Sequence, residues 1–218
     1  TVLVNRRNDG ARFPYIGGDD RHGIEMCVEH LEQLGHRTIL HLAGPSDTST
    51  GRERTSAFRQ AMRSRRLPTG RAVVECPSYT EQAGADAVNA TLERGTAFTA
   101  IVAANDLLAI GAKEALAEHG IECPRDVSIT GYNDADFMHR LTPAFTTVRV
   151  PLNSMGALAA KTLLAWMGGN HPELSAQTLL PVELMQRGTT APARRISHLP
   201  TNDSANSQGT VAAARSAR

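Results

Sequence analysis

The 218 residues contain no CxxC pair, no GxGxxG, no HExxH and no GxSxG. Each gap removes a class of chemistry. Three cysteines, Cys27, Cys76 and Cys123, stand far apart; an odd number without close spacing speaks against a disulfide framework and a structural zinc site. They read as small buried residues in a reducing compartment. "GPSDTSTGR" begins and ends like a phosphate loop, but the spacing is wrong and its lysine is missing. Eight histidines are scattered with no pair placed for a metal, so no cofactor or metal is expected. The formal net charge is +1, too small for a global field toward nucleic acid or an anionic membrane. No basic DNA-binding segment is visible. No apolar run approaches the roughly twenty residues that span a bilayer, and no secretory leader opens the chain. The opening "TVLVN" reads as the middle of a buried strand, so a preceding segment is expected and the missing leader says little about location.

What is present is a strand–helix rhythm with a hydrophobic content of 41%, enough for a sizeable core. Residues 21–34 repeat Ile24, Cys27, Val28, Leu31 and Leu34 at helical spacing, with Gly35 as the stop. "TILHLAG", "AVVEC", "TAIVAA", "VSITGY" and "TTVRV" read as strands, and "QTLLPVEL" as a last one. Between them, residues 52–66, 80–94, 107–119 and 152–167 read as helices. Short strands that are apolar on both faces, alternating with helices, predict an α/β fold with parallel sheets flanked by helices. Residues 189–218 have no apolar period and are rich in Ala, Ser, Asn, Thr and Arg, which predicts a disordered tail.

In such sheets ligands bind beyond the carboxyl ends of the strands. The loops there are residues 44–54, 76–82, 104–108 and 131–143. They offer an arginine, amides, hydroxyls, carboxylates and the ring of Tyr79, a mixture suited to a small polar molecule such as a sugar or a purine. Asp134 and Asp136 are the one carboxylate pair that could do acid–base work, although acids in a turn are usually solvated or capping groups. Catalysis is the weaker reading.

"DDRHG", "GHRTILHLAGP", "AANDLLAIGAKEAL", "GIECPRDVSITGYNDADF", "TPAFTTVRVPLNSMG" and "PVELMQRGTTAP" occur in this order. Together they resemble the ligand-binding core of LacI/GalR-type transcription regulators, from about residue 1 to residue 192. The resemblance implies a two-lobed, periplasmic-binding-protein-like fold in which the first lobe is incomplete. It maps a partial first lobe onto residues 1–35 and 146–172 and the second lobe onto residues 36–142 and 177–188. Crossings between lobes are expected near Gly35, around residues 142–147 and after Gly169.

Carried over by motif, Arg54 matches the arginine that points into the effector pocket and Tyr79 the aromatic that stacks on the effector. Asn105 either contacts effector hydroxyls or caps the next helix; for Asp106 capping is preferred. Asn133 stands where the family usually has Asp. Thr50 and Asp19 are further candidates, and Val4, Asn5 and Arg6 stand at a strand end beside the cleft. The implied protein is a non-enzymatic cytoplasmic regulator, a homodimer with a sugar or nucleobase/nucleoside effector. It would reach operator DNA only through a helix-turn-helix headpiece that this stretch does not contain. A periplasmic sugar-binding protein of an ABC transporter is the alternative.

Overall fold

The computed structural model describes residues 1–8, 10, 13–169 and 177–194. The chain runs β1 (Leu3–Val4), β2 (Tyr15–Gly18), α1 (Asp20–Gln33), β3 (Ile39–Ala43), α2 (Ser49–Ser64), β4 (Val73–Glu75) and α3 (Glu81–Glu93). It continues with β5 (Ala100–Ala103), α4 (Asp106–Glu118), β6 (Ser128–Asn133), β7 (Thr146–Arg149), α5 (Leu152–Met167), β8 (Gln177–Leu180) and β9 (Glu183–Met185). Six strands form one sheet in the order β4-β3-β5-β6-β7-β9, and three form another in the order β1-β2-β8. All pairings are parallel except β7 with β9.

Local chemistry accounts for the element ends. Asp19, Thr48, Thr80 and Asn105 each accept a hydrogen bond from the backbone N–H three residues on, satisfying a donor that the first turn leaves open. Gly35, Gly95 and Gly120 leave α1, α3 and α4 at positive φ, where a side chain would be strained. Strands β3 and β5 are buried along their whole length, as strands covered on both faces must be. One side of the large sheet is covered by α3 and α4 around Leu108, Ala112, Leu116 and Ile129. The other is covered by α1 and α2 around Ile24, Val28, Phe58 and Met62.

Two expected boundaries move. Helix α1 packs on α2 and the six-stranded sheet, so the first crossing lies at Gly18–Asp19, before the helix rather than at Gly35. Hydrophobic periodicity shows which face of a helix is apolar but not which sheet covers it. The second crossing follows β7 at Val150 and Pro151, because β7 pairs with β6 inside the large sheet. "QTLLPVEL" is two strands: β8 joins the small sheet and β9 the large one, and the chain crosses at Pro181 and Val182. The three crossings lie side by side; a side chain at Gly18 would press against Val182 at 3.0 Å and Val150 at 3.3 Å. Residue 169 is followed by residues outside the described set.

The expected tail also starts later than residue 189. Thr189 is fully buried, its hydroxyl donates to the Ile129 carbonyl at 2.7 Å, and the Ala193 N–H donates to the Leu34 carbonyl at 2.8 Å. Residues 195–218 lie outside the described residues. Around the small sheet, by contrast, apolar groups face outward: Val4, Leu179, Leu163, Leu164 and Met167 are exposed, and Met155 is the buried residue of α5.

Helices α3 and α4 approach so closely that a Cβ on Gly111 would collide with the Glu81 carbonyl, and one on Gly84 with the Leu108 backbone. Both obstacles are backbone and cannot swing aside. Gly111→Ala is therefore expected to lower stability by about 1–3 kcal/mol, read from the urea midpoint at unchanged slope.

Candidate functional site

The carboxyl ends of the strands in the two sheets meet. From the small sheet come Arg6 and Arg7, just past β1, and Asp19, just past β2. From the large sheet come the turn after β3, Tyr79 after β4, Asn105 after β5 and Asn133 at the end of β6. Contacts among the described residues join the two sides. The Arg6 guanidinium lies 5.2 Å from the centre of the Tyr79 ring, the Arg7 N–H donates to the Ser49 hydroxyl at 3.0 Å, and Arg7 pairs with Glu53 at 2.6 Å.

Tyr79 is half-buried, and its hydroxyl lies 3.1 Å from the Thr50 hydroxyl and 3.4 Å from that of Thr48. Thr50 itself is buried beneath the ring. Asn133 carries φ 118° and Asp134 φ 55°, a backbone that costs about 1–3 kcal/mol for residues with side chains. Two ion pairs stabilise that turn: Asp134 meets Arg149 at 2.8 Å and Arg187 at 2.7 Å. Burial alone would raise the Asp134 pKa, but the hydrogen bonds and charges of Arg187 and Arg149 outweigh it and hold it low. A carboxylate fixed in this way is a poor proton carrier. Asp136 is exposed, so the two acids do not form an acid–base pair.

Arg54 stands at the floor, deeply buried. Its side chain is 3% exposed. Nε and Nη2 bond one oxygen of Asp20 at 3.0 and 2.9 Å, Nη1 donates to the Ala104 carbonyl at 2.6 Å, and the guanidinium lies 3.8 Å from the Tyr132 ring centre. All three nitrogens thus have protein partners. Arg54 holds α1, the end of β5 and β6 together under the cleft.

The two readings of Asn105 are also resolved in part. Its carbonyl oxygen accepts from the Leu108 N–H at 2.9 Å, while its amide donates to the Tyr79 carbonyl at 3.4 Å. It caps α4 and steadies the loop that bears the ring. Asp106 does not cap; it accepts from the Thr147 hydroxyl at 2.6 Å and the Ala135 N–H at 2.8 Å, tying α4 to β7 and the turn after β6. Asp19 caps α1 through the His22 N–H and donates its own N–H to the Leu180 carbonyl at 3.0 Å, at the crossing. Among the described residues no group of His, Cys, Asp and Glu is placed to hold a metal ion, and no helix is long and apolar enough to cross a membrane.

The model of the periplasmic binding protein-like domain family matches residues 28–190. Among solved structures, the chain is similar to a LacI family transcriptional regulator from Mycobacterium smegmatis, 33% identical with a TM-score of 0.80, covering 88% of this chain and 70% of that one. The chain belongs to the LacI/GalR family. It is also similar to the transcriptional regulator CelR in complex with cellobiose, 28% identical with a TM-score of 0.81, covering 86% of this chain and 58% of that one. The HTH-type transcriptional regulator reg1 of Streptomyces lividans is 34% identical over 197 residues, which are 88% of this chain and 56% of the relative. The chain thus spans little more than half the length of such curated relatives.

Asp20, Tyr132 and Arg7 belong to the site of this LacI/GalR-family chain without a motif that marks them. Asp20 stands inside "DDRHG" and Tyr132 inside "GYND", but neither motif shows that their side chains converge on one guanidinium. Arg7 is one of two adjacent arginines, and which reaches Glu53 depends on the turn after β1.

Arg54→Met should cost about 3–5 kcal/mol in chemical unfolding, because Asp20 is left charged and buried without a partner. The double variant Arg54→Met, Asp20→Leu should recover a measurable part of that loss; no recovery would mean that the pair is not the source.

Asp106 supplies a pH signature. Burial pushes its pKa up from 3.8 to about 6, against the hydrogen bonds from Thr147 and Ala135. A folded pKa above the unfolded one means that the native state binds the extra proton. Its contribution is therefore fully present below about pH 4 and fades as pH rises through about 6. Asp106→Asn should remove that downward slope from a series of unfolding curves taken across the window.

Proposed function

We propose that this chain is the effector-binding core of a LacI/GalR-type transcriptional regulator, with a sugar as effector. One observation carries the reading: the strand ends of both sheets converge on Tyr79, whose ring is faced from the opposite side by Arg6 at 5.2 Å. An aromatic ring flanked by hydroxyl, amide and guanidinium groups suits a sugar, which presents C–H faces for stacking and hydroxyls for hydrogen bonds. The bound cellobiose of the similar regulator supports the same ligand class for this cleft; a nucleoside is the competing class that binding assays separate.

In this proposal Tyr79 and Asn133 touch the ligand, Arg6 closes over it, and Thr50, Asn105 and Asp19 position the walls. Arg54 moves from ligand contact to positioning, since its charge is satisfied from within. In this reading the protein binds its ligand without turning it over, which the pairing of Asp134 with two arginines supports. Sugar binding would act by changing the balance between open and closed arrangements of the two sheets, and only to the extent that it binds one better. The three adjacent crossings are the hinge of that motion, and the Arg7–Glu53 and Arg6–Tyr79 contacts are those it would remake. Contact with operator DNA would fall to a helix-turn-helix headpiece outside these residues. Homodimerisation and a cytoplasmic location follow the same family pattern.

Calorimetric titration with a panel of mono- and disaccharides and nucleosides tests the reading. One sugar should bind saturably, and Tyr79→Ala should weaken it by about ten- to a hundredfold, on the order of 1–3 kcal/mol. Equal affinity in the variant would remove Tyr79 from the site, and preferential binding of a nucleoside would overturn the sugar assignment.

A further inference from the structure

The turn after β1 breaks a rule of extended chains. Neighbouring side chains in a strand point to opposite faces, yet Arg6 and Arg7 both reach the large sheet's side of the cleft. The backbone just before them explains it. The Arg6 N–H donates back to the Val4 carbonyl at 2.7 Å, and Asn5 between the two carries φ 64°. That closes a γ-turn of the strained kind, with positive φ at its centre. The small sheet holds the turn in place: the Asn5 N–H donates to the Ile16 carbonyl at 2.9 Å, and the Tyr15 hydroxyl donates to the Asn5 carbonyl at 3.3 Å. Tyr15 is buried and its ring lies over Gly17, where a Cβ would collide with it.

Arg7 leaves this turn braced on one sheet and paired to the other. Its Nη1 donates to Gln177 Oε1 on β8 at 3.3 Å, and its guanidinium lies 5.7 Å from the centre of the Tyr15 ring on β2. Its Nη2 meets Glu53 on α2 at 2.6 Å, and its backbone N–H donates to the hydroxyl of the buried Ser49 in the first turn of the same helix. None of these four partners is a ligand contact in the reading above. The pair with Glu53 joins partly exposed side chains, so it is weak enough to break and open to screening by salt. Backbone strain maintained where two parts of a molecule meet is characteristic of clamps and switches.

We infer that Arg7, aimed by the turn at Asn5, is a positioning residue: an ionic latch that holds the two sheets closed over the cleft before the sugar arrives. The latch rests on the sugar-cleft reading above. A sugar that prefers the closed arrangement binds in proportion to the closed fraction of the empty chain, so the latch sets affinity without touching the ligand. It also couples that affinity to ionic strength, although the sugar is uncharged, because salt screens Arg7 from Glu53.

One arm of the test needs no sugar. Small-angle X-ray scattering of the empty chain at about 20 and about 300 mM sodium chloride should show a larger radius of gyration at high salt. Arg7→Gln should show the larger value at both. Equal radii in parent and variant overturn the latch, whatever the effector proves to be. In calorimetry with cellobiose, or with the saccharide of the panel above that binds best, Arg7→Gln should weaken binding about three- to fivefold at low salt. The parent should lose a similar factor at high salt and the variant almost none. Arg7→Lys, which keeps the charge opposite Glu53, should recover part of the loss. Weakening with the parent's salt dependence intact would make Arg7 merely structural and overturns the proposal, as does unchanged affinity. If no saccharide binds, the effector reading fails and the scattering arm alone decides the latch.

Discussion

A guanidinium buried to 3% exposure persists only where its charge is met from several sides, and the surroundings of Arg54 are built for that purpose. Asp20 supplies the counter-charge at the start of α1, the Ala104 carbonyl an acceptor at the end of β5, and Tyr132 an aromatic face from β6. Four elements far apart in sequence are thereby fixed at one point. The charge also cannot be relieved by partial unfolding without stranding Asp20. The point lies under the convergence of strand ends, so the floor of the cleft is tied by buried contacts while its rim is held by partly exposed ones.

The rim depends on that floor in two ways. Asp20, the partner of Arg54, directly follows Asp19, and Asp19 bonds the Leu180 carbonyl at the crossing. The crossing at Gly18 and Asp19 is therefore anchored next to a buried ion pair. Across the gap the contacts are looser in kind: an arginine over a half-buried ring and one ion pair at partly exposed groups. Exposed or partly exposed pairs contribute little, about 0–1 kcal/mol. Contacts of that size suit parts that a ligand must remake, whereas a buried pair would resist it.

Much of this was legible in residues read one at a time. The helical spacing of Ile24, Cys27, Val28 and Leu31, the doubly apolar "TAIVAA" and the glycine stops at Gly35, Gly95 and Gly120 foretold the helices and strands of the large sheet. The loops named as ligand-bearing do lie at strand ends, since parallel strands leave their carboxyl ends on one edge. What was not legible was partnership. "QTLLPVEL" looks like one extended segment, and only pairing with β2 on one side of Pro181 and β7 on the other divides it between sheets. The residues after Arg187 have a polar, small-residue composition, yet Thr189 is buried because Ile129 and Thr146 present a carbonyl and an N–H to its hydroxyl.

Arg54 shows the same division most clearly. The sequence by itself determined that an arginine follows the first turn of an amphipathic helix near a ligand-binding edge, because helical period and loop position are local properties. It determined likewise the family, through six motifs in order. Whether that arginine faces a ligand or a protein carboxylate depends on where Asp20 and Tyr132 arrive, and these come from 34 residues earlier and 78 later in the chain. Only the tertiary structure decided that, because a charge takes whichever partner long-range folding brings within a few ångströms, and no spacing along the chain records the distance.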